Sequence, residues 1–191
     1  MGFNKITEKE DQFSTLEEWN IAIKMPNYEK PRTENASVKK PLVYKNTAIL
    51  LQENKLFDEA KKTYTEAKLL NPTDKELLNN EIGLYFNTKQ YETYNKLVLE
   101  FLEIYPDDAL MNFNAGEYFL IDDVKIVDEL RANSSNDKKF NELSKKRKEM
   151  YEKALPFFEK AYSLDPKSVN NINFLKSTYN ILGMTEKAAK L

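Results

Sequence analysis

Leu70-Asn71-Pro72-Thr73-Asp74, Ile104-Tyr105-Pro106-Asp107-Asp108 and Leu164-Asp165-Pro166-Lys167-Ser168 are three copies of one phrase, each closing a unit with proline. The first two prolines are 34 residues apart. The third lags by 60, one such period plus 26 residues. A 34-residue period is the length of a repeating helix pair. Proteins built this way bind along stacked surfaces and seldom carry catalysis.

Composition sets the outer limits. The chain has 191 residues, 31 % charged and 41 % hydrophobic, which suits a soluble domain with a real core. Its net charge of −2 argues against a nucleic-acid binder. Four glycines leave no phosphate-cradling loop. Cys and His are absent, so thiol nucleophiles, imidazole bases and Cys/His zinc sites are excluded. Carboxylates, Lys, Tyr, Ser and Thr remain, and Glu53 and Glu117 have no catalytic constellation around them. We therefore expect no enzyme, no metal and no cofactor. No apolar run reaches membrane-spanning length, and the N-terminus lacks a signal-peptide core. A soluble protein of cytoplasm or periplasm is expected, the choice between them left open.

Aligned on the prolines, four units emerge. The first, 41–74, carries Tyr44, Thr47, Ala48 and Leu51 on one helical face. Asn54-Lys55 makes the turn, and Phe57, Ala60, Tyr64, Ala67 and Leu70 follow. The second, 75–108, points Leu78, Ile82 and Tyr85 inward, then Tyr91, Tyr94, Val98, Phe101 and Ile104. Gly83 falls one residue late. The third, 109–168, opens with Ala115-Gly116 and Phe119 and closes with Ala154, Phe158, Ala161 and Leu164. The fourth, 169–191, supplies Ile172, Leu175, Tyr179, Gly183 and Ala188 and is truncated.

These positions resemble the tetratricopeptide repeat: aromatic, Leu-Gly, aromatic, then Ala, aromatic, Ala and a closing Pro. Ala154-Leu155-Pro156-Phe157-Phe158-Glu159-Lys160-Ala161 is especially similar to bacterial members. The resemblance covers 41–191. It implies an all-α fold, a right-handed superhelical stack of antiparallel helix pairs forming an α-solenoid. It also implies a protein-binding scaffold.

The third unit holds the 26 extra residues. Leu120, Val124, Val127 and Leu130 keep helical spacing, as do Phe140, Leu143, Arg147, Met150 and Tyr151. A turn cluster, Asn133-Ser134-Ser135-Asn136-Asp137, separates them. The simplest reading lengthens both helices by about 13 residues into one elongated hairpin, roughly 20 Å long. Alternatively, Asp122-Asp123 breaks the first helix and starts a separate short one. Lys138-Lys139 and Lys145-Lys146-Arg147-Lys148 make the hairpin basic: a solvated face, or a contact for an acidic partner.

In the family, the first helix of each unit lines a concave groove. Carried over, this gives Lys45, Asn46, Ile49, Asn79, Asn80, Phe86, Asn87, Phe113, Asn114, Glu117 and Asn173 as peptide-binding residues, with Leu42, Glu53, Gly83, Leu110, Ile121, Asn170, Phe174 and Ser177 beside them. Asn46, Asn80 and Asn114 recur at 34-residue steps. Their amides suit either a ligand backbone or helix packing. Phe86 and Phe113 would offer apolar pockets. Chaperone-binding members clamp a terminal carboxylate with two Asn, two Lys and an Arg. Lys45 and Asn80 match two of those places, while Ile49, Leu110 and Asn114 depart from the other three. A carboxylate clamp is not expected. The partner is expected to be a protein or peptide, with no nucleic acid and no membrane insertion.

Residues 1–40 show no clear repeat and are read as an N-terminal helix and linker; the alternative is a degenerate or capping helix, with Trp19, Ala22 and Met25 the trace of an earlier unit's second helix. Ser14 and Glu17 suit a capping box, and Leu16, Trp19 and Ile23 recur at helical spacing up to Pro26. Residues 27–40 read as a linker. An alternative role for the whole chain is structural: open terminal repeats would join a larger array or a second copy.

Overall fold

The computed structural model describes residues 36–191, with side chains described from Pro41 onward. The capping box and the Trp19 helix lie outside the described residues. Among the described residues all regular structure is helical, and the chain divides into two compact units between Tyr94 and Asn95.

The first unit contains α1 (Ala36–Glu53), α2 (Phe57–Leu70), α3 (Lys75–Asn87) and the start of α4 (Tyr91–Ile104). Helix α1 begins upstream of Pro41. The end of the stretch read as linker, 36–40, is therefore helical. Ala48, Leu51, Ala60, Tyr64, Ala67, Leu77 and Leu84 form the core, with Tyr44 and Phe57 against it. Ala60 and Ala67 are small, so α2 approaches its neighbours closely. Tyr64 is fully buried, and its hydroxyl donates to Gln52 Oε1 at 2.8 Å.

The buried face of the second repeat differs from the sequence reading. Leu77, Glu81, Ile82 and Leu84 are the buried positions of α3, and Asn95, Val98 and Phe101 those of α4. Tyr91 and Ile104 are exposed. Glu81 is buried because Lys68 reaches it, Nζ to Oε2 at 2.7 Å.

The second unit contains the rest of α4, then α5 (Ala109–Phe119), α6 (Asp123–Ala132), α7 (Asp137–Leu164), α8 (Val169–Ile181) and α9 (Thr185–Ala188). Its core gathers Ala154, Phe158, Leu175, Tyr179 and Ala188, flanked by Phe113, Phe119, Leu155 and Phe174. A Cβ on Gly116 would sit 2.5 Å from the Phe158 ring, so α5 and α7 meet at a glycine. The second arm of the insertion is one 28-residue helix, α7, with Pro156 inside it. The first arm is not an extension of α5. It is the separate helix α6, as the Asp122-Asp123 alternative anticipated.

The turns explain that break. Lys55, Lys89 and Gly183 have φ of 62°, 58° and 76°, the left-handed conformation that ends a helix. Lys89 lies one 34-residue period after Lys55, and Gly183 lies 94 later, which is 34 plus 60. Each is followed by the same bond: Leu56 N–H donates to Leu51 O at 2.9 Å, Gln90 to Tyr85 at 2.9 Å and Met184 to Tyr179 at 2.8 Å. The third unit's counterpart is Asp123, which instead opens α6. There Leu120 N–H donates to Glu117 O and Asp123 N–H to Leu120 O, both at 2.9 Å. The chain tightens without reversing through a left-handed residue. The closing phrases also keep register: Asp74, Asp108 and Ser168 cap α3, α5 and α8 by accepting from Leu77, Met111 and Asn171 N–H.

Candidate functional site

The inner-face positions fall into two sets, one in each unit. In the first, α1 and α3 supply Lys45, Asn46, Ile49, Asn79, Asn80, Phe86 and Asn87. Lys45 is buried, and its Nζ donates to Asp74 Oδ2 at 3.1 Å and Glu76 Oε2 at 2.7 Å. It thus ties α1 to the start of α3. Burial alone would lower its pKa, but the bonds to Glu76 and Asp74 raise it above the ordinary lysine value. Asn79 Oδ1 is sealed from solvent without a hydrogen-bond partner among the described residues. Asn80 Nδ2 donates to Glu76 O on its own helix at 2.9 Å. Asn46 and Ile49 are half-buried, and Asn87 is exposed. Phe86 is 53 % exposed, with ring centroids of Tyr94 and Tyr91 at 5.3 and 6.2 Å. It stands at the rim of an aromatic cluster.

In the second unit, α5 and α8 carry Phe113, Asn114, Glu117 and Asn173. Phe113 packs on Phe174 at 5.0 Å and on Phe158 at 5.8 Å between centroids. Its ring therefore forms the floor of this face. Asn114 Nδ2 lies 3.9 Å from Met111 Sδ, one turn back on α5. Asn173 and Glu117 are exposed. The Glu117 tip reaches solvent, yet neighbouring protein displaces much of the water around the carboxyl. Desolvation raises its pKa above the ordinary value. Leu110 and Ile121 flank it, 62 % and 61 % exposed. Sequence reasoning placed them in the groove. Their exposure is the signal that separates them from core leucines and isoleucines.

The basic run on α7 is dispersed by its partners. Arg147 turns to Asp123, while Lys145 and Lys148 stand 3.9 and 4.0 Å from Glu149 and Glu152. Among the described residues, no three His, Cys, Asp or Glu side chains gather as a metal site, and no helix is long and apolar enough to cross a membrane.

Helix pairs in repeating register define an all-α repeat protein. The MamA RS-1 ArsTM double mutant superposes with a TM-score of 0.53 at 16 % identity, over 92 % of this chain and 80 % of that one. A tetratricopeptide repeat protein from Parabacteroides merdae gives 0.46 at 16 % identity, over 98 % and 73 %. YrrB, a TPR protein with an unusual peptide-binding site, gives 0.42 at 17 %, over 92 % and 93 %. No family model and no curated protein matches the sequence. The likeness shows the fold, an all-α helical repeat, which agrees with the tetratricopeptide pattern that the sequence resembles.

Proposed function

We propose that this protein is a non-catalytic scaffold that binds a protein or peptide on the inner faces of its first helices. The observation that carries this reading is the face of α5 and α8. Exposed Leu110, Glu117, Ile121 and Asn173 surround a floor of Phe113 against Phe174. An apolar floor with amides beside it suits side-chain burial together with hydrogen bonds to an extended backbone. In the first unit Asn46, Asn80, Phe86 and Asn87 offer the same mixture. Lys45 contributes by tying α1 to the start of α3 rather than by touching a ligand, while Phe113 is the floor that a ligand side chain would meet.

The test is selection of a random-peptide phage library against the full chain, followed by titration of selected peptides. Asn114→Ala with Asn173→Ala, and separately Asn80→Ala with Phe86→Ala, should weaken binding about tenfold or more while the melting temperature holds. Undiminished binding by both double variants would sink the reading.

A further inference from the structure

We propose that the inner face of the second unit selects a cationic side chain, lysine or arginine, at Glu117, with an apolar ligand residue seated beside it on Leu110. This rests on the inner face being the binding surface and names the chemistry it prefers.

Other carboxylates of this unit are engaged. Asp107 meets Lys160, Asp123 meets Arg147, and Glu159 accepts from both Tyr179 and Lys187. The Glu117 carboxylate has no hydrogen bond and no ion pair among the described residues. Helix α5 has no basic residue, and α8 has one, Lys176. Two residues past Phe174, Lys176 projects about 200° around α8 from the ring that touches Phe113. Desolvation acts on Glu117 without a compensating cation. A ligand cation would supply that charge, whereas a ligand anion would meet like charge in a partly desolvated setting.

Spacing refines the choice. Leu110 lies seven residues before Glu117, two helical turns and about 10 Å along the same face. Three residues of a polyproline II chain span about 9 Å and bring side chains i and i+3 to the same side. The fitting ligand is a peptide in that conformation with an apolar and a basic residue three positions apart. Ile121, in the turn after α5, extends the apolar margin beyond the carboxylate.

The test is the same random-peptide selection run in parallel on the wild-type chain and on Glu117→Lys. Glu117 is exposed, so the variant should keep its circular dichroism and melting temperature. Wild-type pools should be enriched in Lys or Arg three positions from an apolar residue. Glu117→Lys should enrich Asp or Glu instead. Glu117→Gln should weaken a selected basic peptide about tenfold and flatten its salt dependence. Wild-type peptides without basic enrichment, or the same peptides from Glu117→Lys, would overturn this inference while leaving the groove intact. Failure of the wild-type chain to select any peptide would overturn both readings.

Discussion

Arg147 and Asp123 meet through two parallel hydrogen bonds, Nε to Oδ1 at 2.7 Å and Nη2 to Oδ2 at 3.0 Å. The Tyr151 hydroxyl donates to the same Oδ2 at 2.9 Å. Asp123 begins α6, while Arg147 and Tyr151 lie one turn apart on α7. A paired fork of this kind is stronger and more directional than a surface lysine contact. It fixes the short helix that interrupts the third repeat, and Ile126 is the one fully buried apolar anchor of α6.

Asp123→Ala should therefore release α6 and leave Arg147 without its partner. A loss of about 2 kcal/mol is expected, less than for a fully buried pair. Hydrogen exchange should rise across Val124–Ala132 and change little in α8. Equal loss of protection in both would mean that α6 is not separately held.

The same contact sets a pH window. Burial alone would raise the Asp123 pKa, but hydrogen bonds from Arg147 and Tyr151 bring it below the ordinary carboxylate value. Its stabilisation is therefore full above about pH 4 and is lost as pH falls through the lowered folded value. Burial and the bond to Asp123 push Tyr151 up to about 12. Its contribution is full below about pH 10 and is lost as pH rises towards 12. Amide shifts of α6 followed by NMR should stay constant between those limits. A transition near neutral pH would contradict the assignment.

Gly83 and Gly116 should respond oppositely to alanine. A Cβ at Gly116 meets three Phe158 ring atoms at 2.5 to 2.8 Å, and that ring is fully buried. Overpacking there should cost about 1–3 kcal/mol. At Gly83 nothing lies within 4 Å of a Cβ, so Gly83→Ala should stabilise α3 by about 0.5–1 kcal/mol. Thermal melts of the two single variants decide it.

These glycines also show what was legible. Gly116 kept the repeat register, and its close packing follows from it. Gly83 stood one residue late, and the structure places it where no close packing occurs. Periodicity gave the helix pairs and the long α7 because burial imposes the pattern. It could not separate an extended α5 from a new α6, since both satisfy the same apolar spacing. Nor could it show that Lys45 and Phe113 are committed inward. That depends on where Asp74, Glu76, Phe158 and Phe174 come to lie.

The turns were legible only in part: Asn54-Lys55 reads as one, whereas Lys89 gives no sign of its left-handed backbone because lysine seldom adopts it. Lys55→Gly and Lys89→Gly should each stabilise the first unit by up to about 1 kcal/mol, because glycine adopts positive φ without a Cβ clash. Gly183→Ala should lose a similar amount, although no atom lies within 4 Å of the new Cβ. Urea unfolding of the three variants provides the comparison. A destabilised Lys55→Gly would indicate that the lysine side chain holds the turn.

Lys45 distinguishes framework from binding surface within one inner face. Its ammonium joins Asp74, the cap of α3, to Glu76 in the first turn. Lys45→Ala would leave Asp74, whose carboxyl is held below its ordinary value, facing a vacated position. The expected cost is about 1–3 kcal/mol, with protection lost at Leu77 and Leu78. Above about pH 10 the wild type should converge on the variant as Lys45 deprotonates through its raised folded value. Peptides selected on the wild-type chain should bind the variant with unchanged affinity at a temperature well below its melt. A selective loss of affinity with stability intact would return Lys45 to the binding surface, as its repeat position alone suggests.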